Sequence, residues 1–166
     1  MRADTCDLGN GSVIDDYHIL EYHDWINVIA LTSAGNVVLI REYRHGAGAI
    51  TTGLPSGTAD PGEDIDKAAA RELIEETGYA CERQICVGKS YANWASHNNQ
   101  VCHYIGFGAK KVAEQKLDPN EVIEVFEMPY SEFLNYENNG PQHSLHAANL
   151  FYAERYFLKH PELRPK

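Results

Sequence analysis

Residues 57–79 constrain this chain more than any other stretch: Gly-Thr-Ala-Asp-Pro-Gly-Glu-Asp-Ile-Asp-Lys-Ala-Ala-Ala-Arg-Glu-Leu-Ile-Glu-Glu-Thr-Gly-Tyr. Residues 67–77 are all helix-tolerant, Asp66 is placed to cap the start, and Gly78 stands where a left-handed residue ends a helix. At ~100° per residue, Glu72, Glu75 and Glu76 fall within an arc of roughly 100°, and Ile65, Ala68 and Ala69 project from the same side. The pattern therefore predicts a helix that turns acid and apolar groups inward together. A lone Glu-Glu pair is more often a solvated helix end, but three carboxylates on an inward face need cations. Desolvation costs several kcal/mol for each, and like charges at short range drive protonation. Hard divalent ions with oxygen ligands answer that need, Mg²⁺ bridging to substrate phosphates being the usual one and Mn²⁺ a possible substitute.

The spacing runs from Gly57 over five residues to Glu63, then over seven to Arg71-Glu72-Leu73-Ile74-Glu75-Glu76-Thr77-Gly78-Tyr79. It resembles the signature of the Nudix hydrolases. Seven fixed identities match, and with each residue type at a few per cent of usage a chance match at a given start is on the order of 10⁻⁸. Tyr79 stands where the signature asks for a bulky aliphatic residue, and its ring keeps the packing role. The order of predicted elements over residues 13–158 is also similar to that family. The resemblance implies an α/β fold, an α/β/α sandwich around a mixed sheet, in one domain over 1–166 with a short polar N-terminal arm at about 1–12.

The lead-in at 37–44, the Leu54-Pro55 step and the run Ala69-Ala70-Arg71-Glu72 look most like the branch that hydrolyses ADP-ribose and related nucleoside diphosphate sugars. Gly53 departs from that branch, which commonly carries Glu there, and no proline lies between Val87 and Ser96, where the branch often has one. The resemblance implies metal-dependent cleavage of a diphosphate linkage, giving a nucleoside monophosphate and a sugar phosphate. It implies Glu72, Glu75, Glu76 and the peptide carbonyl of Ser56 as metal ligands, and Glu63 as an orienting group. It also implies a separate base on a mobile loop, where Glu121 is the choice and Glu114 and Asp118 are the alternatives. That branch commonly dimerises, so a homodimer is expected. Arg71 precedes Glu75 by four residues, near enough for an ion pair that positions the carboxylate.

Around the signature, residues 13–22, 25–32, 37–43, 81–91, 100–108 and 121–128 predict strands, with a hairpin turn at 33–36. Residues 46–57 hold four glycines and a proline and predict a loop without regular structure, while 110–120 form a long polar loop of the kind that is often functional. A helix is expected over 130–136 with Ser131 at its cap, then a break at 135–141. A last helix over 145–158 has an apolar face made by Leu150, Phe151, Tyr156 and Phe157. Arg41 and Arg44 end the strand that enters the glycine-rich loop, where they are either surface charge or ligands for a phosphate or base. Trp94 either stacks on a nucleobase or packs. His97 and His103 lack a second imidazole at ligand spacing, which argues against zinc.

A formal charge of −10 over 166 residues excludes nucleic-acid or anionic-membrane binding by bulk charge, so an anionic small-molecule nucleotide must be met locally. Cys6, Cys81, Cys86 and Cys102 show no metal-ligand spacing and no Cys-x-x-Cys pair; they are expected to be reduced thiols of a cytoplasmic protein. No apolar run approaches ~18 residues, so no membrane span is expected. Two other classes use the same chemistry or scaffold: a nucleoside triphosphate or dinucleoside polyphosphate pyrophosphohydrolase, and a nucleotide-binding module without turnover. The second is free to lose the three glutamates that this chain keeps.

Overall fold

The computed structural model describes residues 1–137 and 142–166. Along the chain come β1 (Arg2–Asp7), β2 (Val13–Ile19), β3 (Trp25–Thr32), β4 (Asn36–Arg44), β5 (Ala49–Gly53), β6 (Ser56–Thr58) and α1 (Ile65–Thr77). Then follow β7 (Tyr79–Ala80), β8 (Arg83–Tyr91), β9 (Gln100–Lys111), β10 (Ile123–Pro129), α2 (Tyr130–Glu137) and α3 (Ser144–Lys159). β3 and β4 carry nearly unbroken apolar runs because both of their faces are covered. Ile29 and Leu31 pack with Val37, Leu39, Phe133, Ala153 and Phe157 under α2 and α3, whereas Ile26, Val28 and Ala30 pack with Val38, Ala69, Leu73 and Tyr104 under α1. Alternate residues of one strand thus feed two cores, which makes the three-layer α/β/α sandwich that the sequence implied.

The main sheet has eight strands in the order β10-β4-β3-β9-β7, with β5 on β4, β6 on β3 and β8 on β9. β3 and β9 run parallel and the remaining pairs antiparallel, so the sheet is mixed. One edge of β3 is shared between two partners: β4 holds Ala30 and Leu31, and β6 holds Trp25 through Asn27. Beyond that fork this edge of β4 passes to β5, from Ile40 opposite Gly53 to Arg44 opposite Ala49, while β10 holds the other edge as far as Glu42. The sheet therefore splits into two lips, and Leu54-Pro55 crosses between them, pinned by the Val28 amide donating to the Pro55 carbonyl at 3.0 Å.

Several expectations are corrected. The glycine-rich stretch 46–57 contains β5 and β6, because its ladder partners come from β4 and β3 rather than from itself. The polar N-terminal arm carries a strand: β1 pairs with β2 in a separate two-stranded sheet, joined to the rest through the Tyr17 hydroxyl on the Ala95 carbonyl at 2.6 Å and the Leu20 amide on the Ser96 carbonyl at 2.7 Å. α1 is capped by Asp64 rather than Asp66; its Oδ1 accepts from the amides of Asp66 and Lys67, since the helix begins where Ile65 reaches the core. Gly78 does take the left-handed conformation, with φ 75°. Ser131 lies inside α2, which starts at Tyr130, and Phe151 faces away from the core, with Leu145, Asn149, Ala153 and Phe157 forming the buried side of α3. Of the expected break at 135–141, positions 138–141 lie outside the described residues. The four cysteines are unpaired, and among the described residues no helix is long and apolar enough to cross a membrane.

Candidate active site

Position 57 fixes how α1 meets the sheet. A Cβ on Gly57 would fall 2.1 Å from Cδ of Glu72, so only glycine lets that carboxylate lie against β6. One turn on, Glu76 is 5% exposed, and its Oε2 accepts the Ser56 amide at 2.8 Å. Burial pushes the Glu76 carboxyl up to about 8; the Ser56 amide pulls against that, and the charges of Glu72, Glu42 and Glu121 add to it. Burial also raises Glu72, with Arg71 opposing and Glu75 and Glu121 reinforcing. These are the marks of carboxylates short of positive charge.

Arg71 bonds to three of the carboxylates at once. Its Nη1 donates to Glu72 and to Glu75, each at 2.9 Å, its Nη2 to Glu63 at 2.8 Å and to the Thr58 carbonyl at 3.0 Å, and its Nε to the second oxygen of Glu63 at 3.0 Å. The expected bond to Glu75 is present, and a forked pair with Glu63 goes beyond it. Glu63 is thereby held far below the usual carboxylate range, at about 2, with the Asp60 amide assisting. Glu63 orients the arginine, and the arginine spreads over Glu72 and Glu75. In this arrangement no group of three or more His, Cys, Asp or Glu among the described residues converges closely enough to grip an ion.

The loop after β9 is tied to the C-terminal end of α1. The amides of Val112 and Ala113 donate to the Gly78 carbonyl, the Lys116 amide donates to Glu75, and Gln115 Nε2 donates to the Glu76 carbonyl at 2.7 Å. The loop thus brings Glu121 to the cluster: its charge acts on Glu42, Glu72 and Glu76, and its Oε2 accepts the Asp118 amide at 3.0 Å. Of the alternatives, Glu114 is 91% exposed and paired with Lys111, and Asp118 is exposed.

Arg44 and Arg41 part company. Strand alternation puts Glu42 and Arg44 on one face of β4 and Arg41 on the other. Arg41 is held by Glu124 at 3.0 Å and lies over the Phe126 ring at 4.7 Å. Arg44 is paired with Glu42, whose side chain is only 15% exposed and whose carboxyl is raised by burial, with Arg44 opposing. Glu42 was missed by sequence reasoning, although its place two residues before Arg44 on a strand gave the signal. Trp94 lies apart from the cluster. It is 84% exposed, in an open recess lined by Lys89, Tyr91, Asn93 and Tyr152. His103 is buried: its Nδ1 donates to Asn27 Oδ1 at 3.0 Å and its Nε2 accepts from Ser90 at 2.9 Å. Burial holds it neutral by lowering it to about 4.

The sheet thus splits beside a helix whose Glu72 and Glu76 carboxyls are raised by burial and by their acidic neighbours. The chain matches the NUDIX domain family over residues 21–148 and belongs to it, as a pyrophosphohydrolase of the Nudix type. It is 30% identical over 138 residues to the methanol dehydrogenase activator of Bacillus methanolicus, covering 82% of this chain and 74% of that one. To the ADP-ribose pyrophosphatase of Bacillus subtilis it is 25% identical over 136 residues, covering 81% and 72%. Among solved structures, an ADP compounds hydrolase superposes with a TM-score of 0.74 at 19% identity, over 82% of this chain and 74% of that one, which shows the shared fold.

Proposed function

We propose that the protein hydrolyses the diphosphate linkage of a nucleoside diphosphate sugar, ADP-ribose or a close relative, with a divalent cation. The observation that carries this reading is the Glu76 carboxyl, raised first by burial and then by its acidic neighbours, and met by one peptide amide. Such a group suits a hard cation, and the carboxylates of Glu72, Glu75 and Glu76 with the Ser56 carbonyl are the oxygen donors Mg²⁺ or Mn²⁺ takes. When bound, the ion supplies charge neutralisation and an activated water. Arg71 holds Glu72 and Glu75 until then. Glu121 is the base, supported by its closeness to the cluster, and Arg44, released from Glu42, grips a substrate phosphate. Similarity to an ADP-ribose pyrophosphatase favours the diphosphate sugar over a nucleoside triphosphate.

A homodimer is part of the proposal. The β1–β2 sheet leaves Leu8, Val13 and Ile14 exposed, and these suit burial against a second copy. A monomeric mass in solution at micromolar concentration overturns it. A second reading rests on the 30% identity to the methanol dehydrogenase activator: the hydrolysis serves to stimulate a dehydrogenase.

The test is release of nucleoside monophosphate, separated from substrate by chromatography, from ADP-ribose, other sugar nucleotides, dinucleoside polyphosphates and nucleoside triphosphates, each with Mg²⁺, Mn²⁺ or excess chelator. Diphosphate sugars are expected to show the highest kcat/KM, and chelator to abolish turnover. Undiminished turnover in chelator overturns the metal chemistry; higher kcat/KM for every triphosphate overturns the substrate class. A methanol dehydrogenase assayed with and without the protein decides the second reading.

A further inference from the structure

Gly53 closes β5 on the lip of the split sheet, opposite Ile40 of β4. A Cβ built there would lie 2.4 Å from Cε1 and 2.9 Å from Nδ1 of His146. An imidazole from α3 therefore occupies the space that a side chain on the sheet would otherwise fill. His146 as a residue is part-buried, and among the described residues neither of its ring nitrogens has a hydrogen-bond partner. Its neighbours build a wall. The His143 ring lies 4.9 Å away, its Nδ1 accepting the Leu145 amide, and Trp25 lies beyond it at 6.5 Å. The charge of Arg44 acts on both imidazoles.

Distance selects what such a wall can touch. Gly53 stands three residues before Ser56, roughly 10 Å along an extended chain. A sugar bonded directly to a phosphate that meets a cation at Ser56 and Glu76 reaches that far, and a base beyond a further sugar overshoots it. Chemistry selects again. An unpartnered neutral imidazole offers one donor and one acceptor, which matches a hydroxyl that both gives and takes a hydrogen bond, and the neighbouring rings offer flat surface to the C–H face of a sugar.

Resting on the nucleotide-sugar reading above, we propose that His146 is a specificity-determining residue that hydrogen-bonds a hydroxyl of the sugar beyond the scissile diphosphate, with Gly53 kept small to admit the ring. Arg44 holds the adjoining phosphate, and His143 lines the same wall.

The test compares wild type, His146→Ala, Gly53→Ala and the double variant on nucleoside diphosphate sugars that differ only in the distal sugar, with a nucleoside triphosphate as the substrate lacking that sugar. Thermal unfolding of each variant checks the fold. His146→Ala is expected to raise KM about tenfold for the preferred sugar with kcat little changed, to narrow the spread of kcat/KM among sugars, and to leave the triphosphate unaffected. Gly53→Ala displaces the ring and gives the same narrowing, and the double variant is no worse than His146→Ala alone, because the two residues share one space. Equal losses on all substrates, unchanged sugar selectivity, or additive effects overturn the inference. If wild type cleaves no diphosphate sugar, the substrate reading itself fails.

Discussion

Glu76→Gln tests whether the acidic face is built for a cation, and the predicted effect has an unusual sign. The native carboxyl titrates at about 8 against an ordinary 4.5. Below the ordinary value both folded and unfolded chains hold the proton, and the native state bears no cost. Between the two values only the folded protein holds it, so folding takes up a proton and stability falls as pH rises, by up to about 1.4 kcal/mol per unit. Above about 8 the anion is buried and the loss is complete. The sum is on the order of 5 kcal/mol, and at about 2–4 °C per kcal/mol for a chain of this size the melting temperature moves by about 10–20 °C. Glutamine keeps the shape, can accept the Ser56 amide and does not titrate. Melting wild type and variant in excess chelator from pH 5 to 9 should show the variant gaining on wild type through the neutral range and holding a constant lead above it. Saturating Mg²⁺ should narrow that lead, since a ligand at 100 times its Kd adds about 2.7 kcal/mol to the protein that binds it, while the variant's turnover stays several orders of magnitude down. Parallel melting curves for the two proteins across pH would refute the argument.

Other perturbations separate positioning from stability. Gly57→Ala places a methyl within 2.1 Å of Glu72 Cδ, and because a side-chain end can swing away, kcat is expected to fall at least about 100-fold while the melting temperature changes by only a few degrees; a large loss of stability with activity retained counts against it. Arg71→Lys removes the fork to Glu63 and cannot span four partners, so metal affinity measured by titration should weaken and activity drop about tenfold or more; an unchanged titration contradicts that. Glu121→Gln should depress kcat with metal affinity nearly unchanged, and equal activity there transfers the role of base to Glu114 or Asp118.

What the sequence disclosed and what it concealed divide along physical lines. α1 was legible because local rules specify it: helix-tolerant residues, an aspartate at the start and a left-handed glycine at the end. The inward turn of Glu72 and Glu76 followed from periodicity. β5 and β6 were not legible, because a short glycine-bearing strand is set by ladder partners elsewhere in the chain. The choice of Asp64 over Asp66 as cap depended on where Ile65 meets the core, a tertiary fact. Arg41 and Arg44 looked equivalent until β4 turned them to opposite faces. His146 left a single trace in the sequence, the missing side chain at Gly53, ninety-three positions away.

The parallel pairing of β3 with β9 joins Trp25 to Val101 and continues to Thr32 and Ala109. During synthesis, β3 therefore waits for more than seventy residues before its central neighbour exists. Until then the run Ile26 to Leu31 presents an unpaired apolar edge, the kind of surface that seeds association between nascent chains. The acidic helix is made well before β9, yet its seat on β3 and β6 is complete only once that long loop has closed. Closure of so distant a contact is a slow step, so the order of synthesis delays assembly of the catalytic cleft until most of the chain has emerged.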